Sequence, residues 1–232
     1  MSYLVLVRHG ESQWNLDNKF TGWVDVPLSK QGVKEAQRTA KALKKLSIDI
    51  AYTSKLERAQ ETLMIILSQQ KKTGIFLHED RHEKRWSLHP HEFEKNEIPI
   101  YSDEDLNERY YGKLQGKNKD KIRKEFGEKQ VFAWRRGFSD KPPGAESLKD
   151  VYHRTIPYLK DTILPQLKKR KDVLVSAHGN SLRAIIKFLD KISDEEIPNL
   201  ELPFGTPIIY EYKQHTLRRV HKEFTFDRPI EW

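Results

Sequence analysis

The chain has 232 residues, and its 42 lysines and arginines outnumber its 34 aspartates and glutamates, which gives a formal net charge of +8. This length suits one large domain with a sizeable core, and a hydrophobic content of 37% excludes a disordered chain. The chain contains no cysteine, which excludes disulfides, thiolate metal sites and cysteine nucleophiles and fits a reducing cytoplasm.

The first 70 residues predict the order strand, helix, strand, helix. The apolar run Tyr3–Val7 is typical of a buried strand. Ser29 is a good helix N-cap, and apolar residues then recur at helical spacing as far as Leu43. A second strand is expected at Ile50–Thr53 and a second helix at Leu56–Ile66. This alternation predicts a largely parallel sheet.

The segment 78–105 breaks this rhythm, because charged and aromatic residues cluster around two prolines with no sustained period. We expect it to be an inserted surface loop or lid within a single domain that spans residues 1–232. The sequence from His78 to His82 satisfies the H-E-x-x-H zinc pattern. The charged residues in and after that motif leave no apolar face for a buried helix, so the expectation is a solvated loop and no metal site.

The second half of the chain continues the alternation. Apolar positions within 147–167 predict a helix that is bent or divided at Pro157. Val173–Ala177 predicts the next buried strand, and Leu182–Leu189 a further helix. Two smaller elements follow: a capping box of Ser193 and Glu196 on a short helix, and an antiparallel hairpin of Pro207–Tyr212 with Leu217–Val220. The predicted fold class is α/β, a three-layer α/β/α sandwich with a mostly parallel central sheet.

Two His-Gly pairs, His9-Gly10 and His178-Gly179, each follow a predicted strand. The carboxyl ends of parallel strands share one edge, where ligands bind, so both pairs are expected to face one site. Either histidine alone is more often an ordinary strand-end residue. A glycine admits a ligand close to the backbone, and a helix that starts just past each histidine would direct free N–H groups at an anion. We expect the His9 ring to be accessible to solvent and within a short reach of His178.

Arg8 and Arg58 lie near the same edge, which favours phosphate as the anion. A phosphoryl group in transfer carries negative charge on its equatorial oxygens, so a metal-free site must supply several fixed cations. A neutral imidazole could attack phosphorus and form a phosphohistidine, which divides one difficult transfer into two easier steps. The sequence therefore indicates phosphoryl transfer.

Several motifs resemble those of one known family. They are Leu4–Asn15 with its Arg-His-Gly, Phe20–Trp23, Leu106–Gly112, Leu114–Gly116, Trp134–Arg136 and Ala177–Arg183. The chain is similar in these segments, and over most of its length, to the 2,3-bisphosphoglycerate-dependent phosphoglycerate mutases of the histidine phosphatase superfamily. Arg-His-Gly alone marks the superfamily, whereas the Asn-Glu-Arg-Tyr-Tyr-Gly, Trp-Arg-Arg and Gly-Asn-Ser-Leu-Arg blocks point to the mutases.

The resemblance implies that His9 accepts the phosphoryl group and that Glu108 protonates the leaving oxygen and later deprotonates the attacking hydroxyl. It implies that Arg8, Arg58 and His178 hold the transferring group. Nine substrate-binding positions follow from the same resemblance. Asn15, Thr21, Gly22, Gly179 and Asn180 match phosphate-pocket positions, and Tyr111, Lys119, Arg135 and Arg136 match those that grip the substrate's carboxylate and second phosphate.

The implied reaction interconverts 3-phosphoglycerate and 2-phosphoglycerate, with 2,3-bisphosphoglycerate as primer and no metal. The expected partners are small phosphoglycerates rather than nucleic acid, because the basic residues are spread along the chain. No membrane partner is expected, since no segment reaches the roughly 18 apolar residues of a membrane span and no signal-peptide pattern opens the chain. The expected location is the cytoplasm. The family includes monomers, dimers and tetramers, and a homodimer is kept open here.

Two alternatives remain at this point: a general histidine phosphatase, and a binding or scaffold protein that keeps the fold without its chemistry. The segment 78–105 is longer than the family's usual connection, and no long C-terminal tail is evident after Phe226. We therefore expect closure of the site, where it occurs, to come from the inserted loop.

Overall fold

The computed structural model describes residues 1–77 and 95–220. Its strands are β1 Ser2–Arg8, β2 Ile50–Thr53, β3 Thr73–Leu77, β4 Glu97–Ser102, β5 Val173–Ala177, β6 Pro207–Lys213 and β7 Thr216–Val220. They form one sheet in the order β3-β4-β2-β5-β1-β6-β7. The pairs from β3 to β1 are parallel, and β6 and β7 join in antiparallel orientation. The mostly parallel sheet and the terminal hairpin agree with the sequence prediction.

The described helices lie between these strands. They are α1 Gln13–Leu16, α2 Lys30–Leu43, α3 Glu57–Leu67, α4 Lys119–Phe126, α5 Glu128–Arg136, α6 Leu148–Tyr158, α7 Leu164–Lys168 and α8 Gly179–Asp190. Short 3₁₀ turns occur at Glu104–Leu106, Gly112–Leu114 and Ile197–Asn199. Within residues 1–77 and 95–220, none of the helices has the length and apolar character needed to traverse a bilayer.

Both faces of the sheet are buried, which explains why its central strands are continuous apolar runs. Leu4 and Leu6 of β1 pack on the side of α6, α7 and α8, whereas Val5 and Val7 pack on the side of α2 and α3. Each of these four side chains is fully buried, which stabilises the fold by about 1.5–3 kcal/mol per side chain relative to exposure. The result is the predicted three-layer α/β/α sandwich.

The segment 78–105 is not a loop throughout, and the prediction is wrong for its C-terminal part. Glu97–Ser102 is strand β4, which lies between β3 and β2 within the sheet. Pro99 obscured this strand, because proline cannot donate to a sheet ladder. It is accommodated because pairing with β2 begins only at Ile100, so Pro99 faces β3 alone in the register. Residues 78–94, with the H-E-x-x-H motif and the proposed lid, lie outside the described residues.

The helix expected across Pro157 is divided, as one of the two predicted forms allowed. Helix α6 ends at Tyr158, a wide π turn spans Leu159–Ile163, and α7 follows. Proline lacks the N–H that the helical ladder requires, so the regular α-helix gives way next to it. The predicted capping box of Ser193 and Glu196 forms both its hydrogen bonds, at 3.1 Å each, but it leads into a 3₁₀ turn and not an α-helix.

A small apolar cluster lies beside the sandwich and carries the helices α4 and α5, which the sequence analysis did not predict. Phe20, Tyr111, Ile122, Val131 and Trp134 are among its buried members. This cluster fixes the first residue of α4 and the last turn of α5 over the carboxyl edge of the sheet. It therefore builds the wall of a pocket that the sheet alone would leave open.

Candidate active site

The two histidines of the His-Gly pairs lie side by side. Strands β1 and β5 are parallel neighbours with Arg8 opposite Ala177, so His9 and His178 both emerge at the carboxyl edge of the sheet. Their ring centroids are 4.9 Å apart with an angle of 56° between the ring planes. The expected short reach between them is observed.

The His9 ring is not accessible, and this expectation is wrong. The residue is 2% exposed, and the Phe204 ring lies 5.8 Å from its centroid. The Arg8 guanidinium stacks on the same phenyl ring at 3.9 Å. Phe204 belongs to a segment almost 200 positions later in the chain, so no local pattern near His9 reveals this cover.

Hydrogen bonding sets the tautomer of His9. Its Nδ1 lies 2.6 Å from the carbonyl oxygen of Gly10, which can only accept, so Nδ1 carries the proton and Nε2 carries the lone pair. Burial, and then the charges of Arg58 and Arg8, hold the pKa of His9 well below its usual value. The imidazole is therefore neutral near pH 7, and Nε2 is its nucleophilic atom.

His178 is also neutral, because burial and then the neighbouring Arg58 lower its pKa well below the usual value. Its Nε2 makes a 2.7 Å hydrogen bond with the hydroxyl of Ser54. Ser54 follows β2, the other parallel neighbour of β5, and its hydroxyl also accepts from the N–H of Leu56 at 3.1 Å. The ring of His178 is thus oriented by a residue at the same sheet edge.

Arg58, in the first turn of α3, lies close enough to both rings for its charge to lower their pKa values. Its Nη1 donates to the carbonyl of Val24 at 3.0 Å and its Nη2 to that of Gly22 at 2.8 Å. Burial lowers the pKa of Arg58 to about 10 and that of Arg8 to about 10, so both stay charged at neutral pH. We call His9, Arg58 and His178 the floor of the site.

The expected cradle of two helix N-termini is only partly present. A helix starts directly after His178, since α8 begins at Gly179. After His9 the chain remains irregular, and the N–H of Gly10 donates to Thr62 Oγ1 at 3.1 Å. The N–H of Asn180, in the first turn of α8, donates to the Glu108 carboxylate at 3.2 Å. One helix start faces the site, and its donor is already used by an acidic side chain.

Glu108 lies above the floor and is 9% exposed. Its Oε1 accepts from the backbone N–H of Arg109 at 2.7 Å and from Nδ2 of Asn180 at 2.7 Å. Its backbone carbonyl accepts from the indole of Trp23 at 2.5 Å and from Arg154 Nη2 at 3.0 Å. Both the side chain and the backbone of this residue are therefore fixed.

A cavity of about 170 Å³ opens above the floor. Eleven of the fourteen predicted site residues border it: Arg8, Asn15, Thr21, Gly22, Glu108, Tyr111, Lys119, Arg135, Arg136, Gly179 and Asn180. The three floor residues adjoin this lining, because His9 follows Arg8, His178 precedes Gly179, and Arg58 donates to the carbonyl of Gly22. Asn15 also closes a helix cap, because its Oδ1 accepts from the N–H of Ser12 at 3.1 Å. The structure thus brings all the predicted positions together.

The rim of the cavity is cationic, and we use this name for Lys119, Arg135 and Arg136. Lys119 is half-buried, and burial followed by the charge of Arg135 lowers its pKa to about 8. Arg136 forms an ion pair with Glu201, whose side chain is 72% exposed. The rim cations come from α4 and α5, across the cavity from the sheet edge.

The chemistry of this lining fits an anion with two charged ends. Within the described residues, Arg8 Nε and Thr21 Oγ1 are buried polar atoms with no hydrogen-bond partner, and both residues border the cavity. Buried donors without partners are costly, so an acceptor is expected between them. One charged end of such an anion would meet Arg8 near the floor, and the other would meet the rim.

The sequence analysis missed several residues of the site. They are Ser54, Arg109, Arg154, Arg183, Glu201, Leu202 and Phe204. Ser54 could have been found, because it follows a strand that ends at the same edge as the two histidines. Arg109 and Arg183 lie within motifs that the sequence analysis quotes, although it assigned them no role. The others have no comparable signal, since their positions depend on contacts between distant segments.

Comparison with known proteins agrees with this geometry. Residues 4–89 and 90–223 match the family model of the histidine phosphatase superfamily, branch 1. Among curated proteins, the 2,3-bisphosphoglycerate-dependent phosphoglycerate mutase of Methanosarcina acetivorans is 50% identical, covering 96% of this chain and 96% of its own length. That of Chlamydia caviae is 48% identical, covering 94% and 97%. The chain belongs to this mutase family of the histidine phosphatase superfamily.

Solved structures give the same fold. Bacillus stearothermophilus YhfR superposes with a TM-score of 0.74 at 25% identity, over 94% of this chain and 95% of its own. A mycobacterial glucosyl-3-phosphoglycerate phosphatase superposes with a TM-score of 0.72 at 22% identity, over 95% and 97%. The predicted fold class is thereby confirmed, whereas the family model and the curated relatives confirm the predicted family and the enzymatic nature of the chain.

Proposed function

We propose that the chain interconverts 3-phosphoglycerate and 2-phosphoglycerate through a phosphohistidine at His9, primed by 2,3-bisphosphoglycerate. The observation that carries this proposal is the neutral His9, with its lone pair on Nε2, below a cavity that has cations at both its floor and its rim. Membership of the mutase family supports the same substrates.

In the first half-reaction, His9 Nε2 attacks phosphorus of the bisphosphate and the bond to the sugar-acid oxygen breaks. The leaving oxygen takes a proton from Glu108, which avoids the release of an alkoxide and contributes about 10²- to 10⁴-fold in rate. Arg8 and Arg58 neutralise the charge on the equatorial oxygens while phosphorus moves. The ring of His178, which Ser54 holds through Nε2, lies beside them as a further hydrogen-bonding group for the phosphoryl oxygens.

In the second half-reaction, a hydroxyl of the bound glycerate attacks phosphorus and gives its proton to Glu108. The bond from phosphorus to His9 Nε2 breaks, and the electron pair returns to the ring. When the 2-hydroxyl and the 3-hydroxyl alternate in this role, the net result is the interconversion of the two phosphoglycerates. The rim supports this alternation, because Arg135 and Arg136 can hold the carboxylate or the second phosphate while the reacting end turns.

The cover over His9 requires one movement in this proposal. Phe204 lies against the His9 ring, and the neighbouring Leu202 carbonyl accepts from Arg8 Nη1 at 2.7 Å. A phosphoryl oxygen is a stronger acceptor for a guanidinium than a carbonyl is. We therefore expect phosphate to displace the Leu202 contact and to draw Phe204 away from the ring.

The proposal is tested by labelling with 2,3-bisphosphoglycerate carrying radioactive phosphate. The wild type is expected to acquire an acid-labile, base-stable label, and His9→Ala none. His153→Ala, a change at an exposed histidine, serves as the matched control and should label like the wild type. Equal labelling of His9→Ala would contradict the proposal.

A coupled assay separates a mutase from a phosphatase. With 3-phosphoglycerate and enolase, the proposal expects product formation that rises when the bisphosphate primer is added. Steady release of inorganic phosphate without 2-phosphoglycerate would show that water, not glycerate, accepts the phosphoryl group.

A further inference from the structure

Two buried arginines meet the side chain of Asn180, which borders the cavity. Arg109 Nη2 donates to Oδ1 of Asn180 at 3.0 Å, and Arg183 Nη1 donates to the same oxygen at 3.2 Å. Arg109 is 0% exposed and Arg183 is 3% exposed. Burial, followed by the charges of Arg109 and Arg136, lowers the pKa of Arg183 to about 9. Placing two cations here is costly, so their common contact requires a reason.

These contacts fix which way the Asn180 amide points. A guanidinium only donates, so the amide atom that faces both arginines must be the oxygen. The amide nitrogen then faces Glu108 and donates to Oε1 at 2.7 Å. The opposite orientation would place an oxygen against a carboxylate and two donors against two cations.

The amide in turn distinguishes the two oxygens of Glu108. Oε1 accepts three hydrogen bonds, from the N–H of Arg109, the N–H of Asn180 and Nδ2 of Asn180. Oε2 borders the space next to Gly179, where an added Cβ would stand 3.6 Å from Oε2 and 3.6 Å from Arg8 Nε. An oxygen surrounded by three donors has no room for a proton of its own, whereas Oε2 shares its space with the guanidinium proposed to hold phosphate.

We infer that Arg109 and Arg183 are positioning residues, which act through the amide of Asn180 to keep Oε1 of Glu108 as an acceptor and leave Oε2 to carry the transferred proton. This inference rests on the proposed role of Glu108 as the acid and base. It assigns the proton to one named oxygen and assigns a role to two arginines through the hydrogen bonds that they donate to Asn180.

The same two arginines connect the acid to the rim. Arg109 Nη1 also donates to the carbonyl of Trp134, and Arg183 Nη2 donates to that of Arg136 at 2.8 Å. Both carbonyls belong to the last turn of α5, which carries the rim arginines. The orientation of the acid and the position of the rim are thus set by one pair of side chains.

The first test compares two phosphoryl donors, because an acid matters only when the leaving group needs a proton. The glycerate oxygen of 2,3-bisphosphoglycerate needs one, whereas p-nitrophenolate departs from p-nitrophenyl phosphate without one. Arg183→Lys keeps the charge but cannot hold both partners in a fork. We expect it to slow labelling of His9 by the bisphosphate by about 10- to 10²-fold. The release of p-nitrophenolate in the first turnover, before Glu108 is needed to activate water, should change by less than about twofold. Equal loss with both donors, or loss with neither, would overturn the inference.

Glu108→Gln is the reference that separates this inference from the proposed function. If Glu108→Gln shows no difference between the two donors, the assigned role of Glu108 itself fails. If Glu108→Gln shows the difference and Arg183→Lys does not, only the positioning role fails. Asn199→Ala, a change at an exposed asparagine, is the matched control and should leave both rates unchanged.

A double-mutant cycle tests the route through the amide. If Arg183 acts through Asn180, then adding Arg183→Lys to Asn180→Ala should cause no further loss with the bisphosphate. Losses that multiply would show that Arg183 acts by another route and would overturn the inference.

Nitrogen-15 NMR of the wild type keeps the inference testable where an arginine variant does not fold. The side-chain amide protons of Asn180 are expected to exchange with water far more slowly than those of Asn199, and to shift in the folded Glu108→Gln variant. An Asn180 amide that exchanges as fast as the exposed one would contradict the network.

Discussion

The floor and the rim of the cavity both consist of basic residues, but the two sets differ in burial and in how firmly they are held. Arg58 on the floor is fully buried and held by two backbone carbonyls, and the floor histidines are neutral. Lys119 on the rim is half-buried and titrates near neutral pH. The comparison teaches that the fold fixes the reacting groups of the floor before substrate binds. The charge of the rim, in contrast, depends on pH through Lys119. Changes on the floor should therefore lower kcat, and changes on the rim should raise KM.

The largest effect is expected on the floor. His178→Ala removes a ring whose centroid lies 4.9 Å from that of His9 and removes one of the two hydrogen-bond partners of the Ser54 hydroxyl. We expect kcat of the enolase-coupled reaction to fall by about 10²- to 10³-fold, as for loss of one group that stabilises a transition state. A KM that rises by the same factor while kcat is unchanged would place His178 with the rim instead.

The next largest effect is expected at the segment that carries the acid between floor and rim. Arg154 donates to the carbonyls of Asp105, Asn107 and Glu108 at 2.8, 3.0 and 3.0 Å, and pairs with Glu146 at 2.9 Å. Arg154→Lys keeps the charge but cannot reach all of these, so we expect kcat to fall by about 10- to 10²-fold through misplacement of the acid. Lys160→Arg, on the exposed side of the π turn, is the control. An unchanged kcat in folded Arg154→Lys would contradict the proposal that these contacts position the acid.

The rim predicts a pH dependence of substrate capture. Lys119 must be protonated to pair with an anion, and its pKa of about 8 in the free protein means that it is charged below that pH and neutral above it. KM should therefore rise as pH increases through 8, by up to about tenfold per unit. Lys119→Arg should remove this rise, because arginine stays charged. The prediction would be wrong if KM varied with pH from 6 to 10 in the same way in the wild type and in Lys119→Arg.

The smallest effect is expected at the exposed edge of the rim. Glu201 pairs with Arg136 and competes with the anionic substrate for the same guanidinium. Exposed ion pairs contribute about 0.2–1 kcal/mol, so Glu201→Gln should lower KM by no more than about fivefold. Glu195→Gln removes another exposed carboxylate, outside the cavity lining, and is the matched control. An increase in KM would show that Glu201 helps to hold the substrate.

Much of the sheet could be predicted because its central strands are continuous apolar runs between helices. The same rule placed His9 and His178 at one edge, since parallel neighbours end together. Strand β4 was missed because Pro99 interrupts its pattern, and only the register shows that the proline faces a single neighbour. A sequence shows where a proline stands, but it does not show whether one or two neighbouring strands pair with the chain at that position.

The roles of the site residues could be proposed only through the family's motifs. Glu108, Lys119 and Arg135 stand in charged segments that are typical of solvated surface when read alone. Their common cavity depends on the cluster around Phe20 and Trp134, whose members are scattered along the chain. Phe204 illustrates the same limit, because it contacts His9 although the two residues are almost 200 positions apart in the sequence.

The segment from Leu200 to Gly205 has a consequence for altering this protein. The N–H of Gly205 donates to the Arg8 carbonyl at 3.0 Å, and the Leu202 carbonyl accepts from the Arg8 side chain. The segment is therefore attached to the last residue of the strand that precedes His9, while Glu201, which comes before both contacts, has a side chain that is 72% exposed. Substitutions at Glu201 are therefore expected to alter the selectivity for anionic substrates. They should leave intact the two hydrogen bonds that hold this segment beside Arg8 and His9.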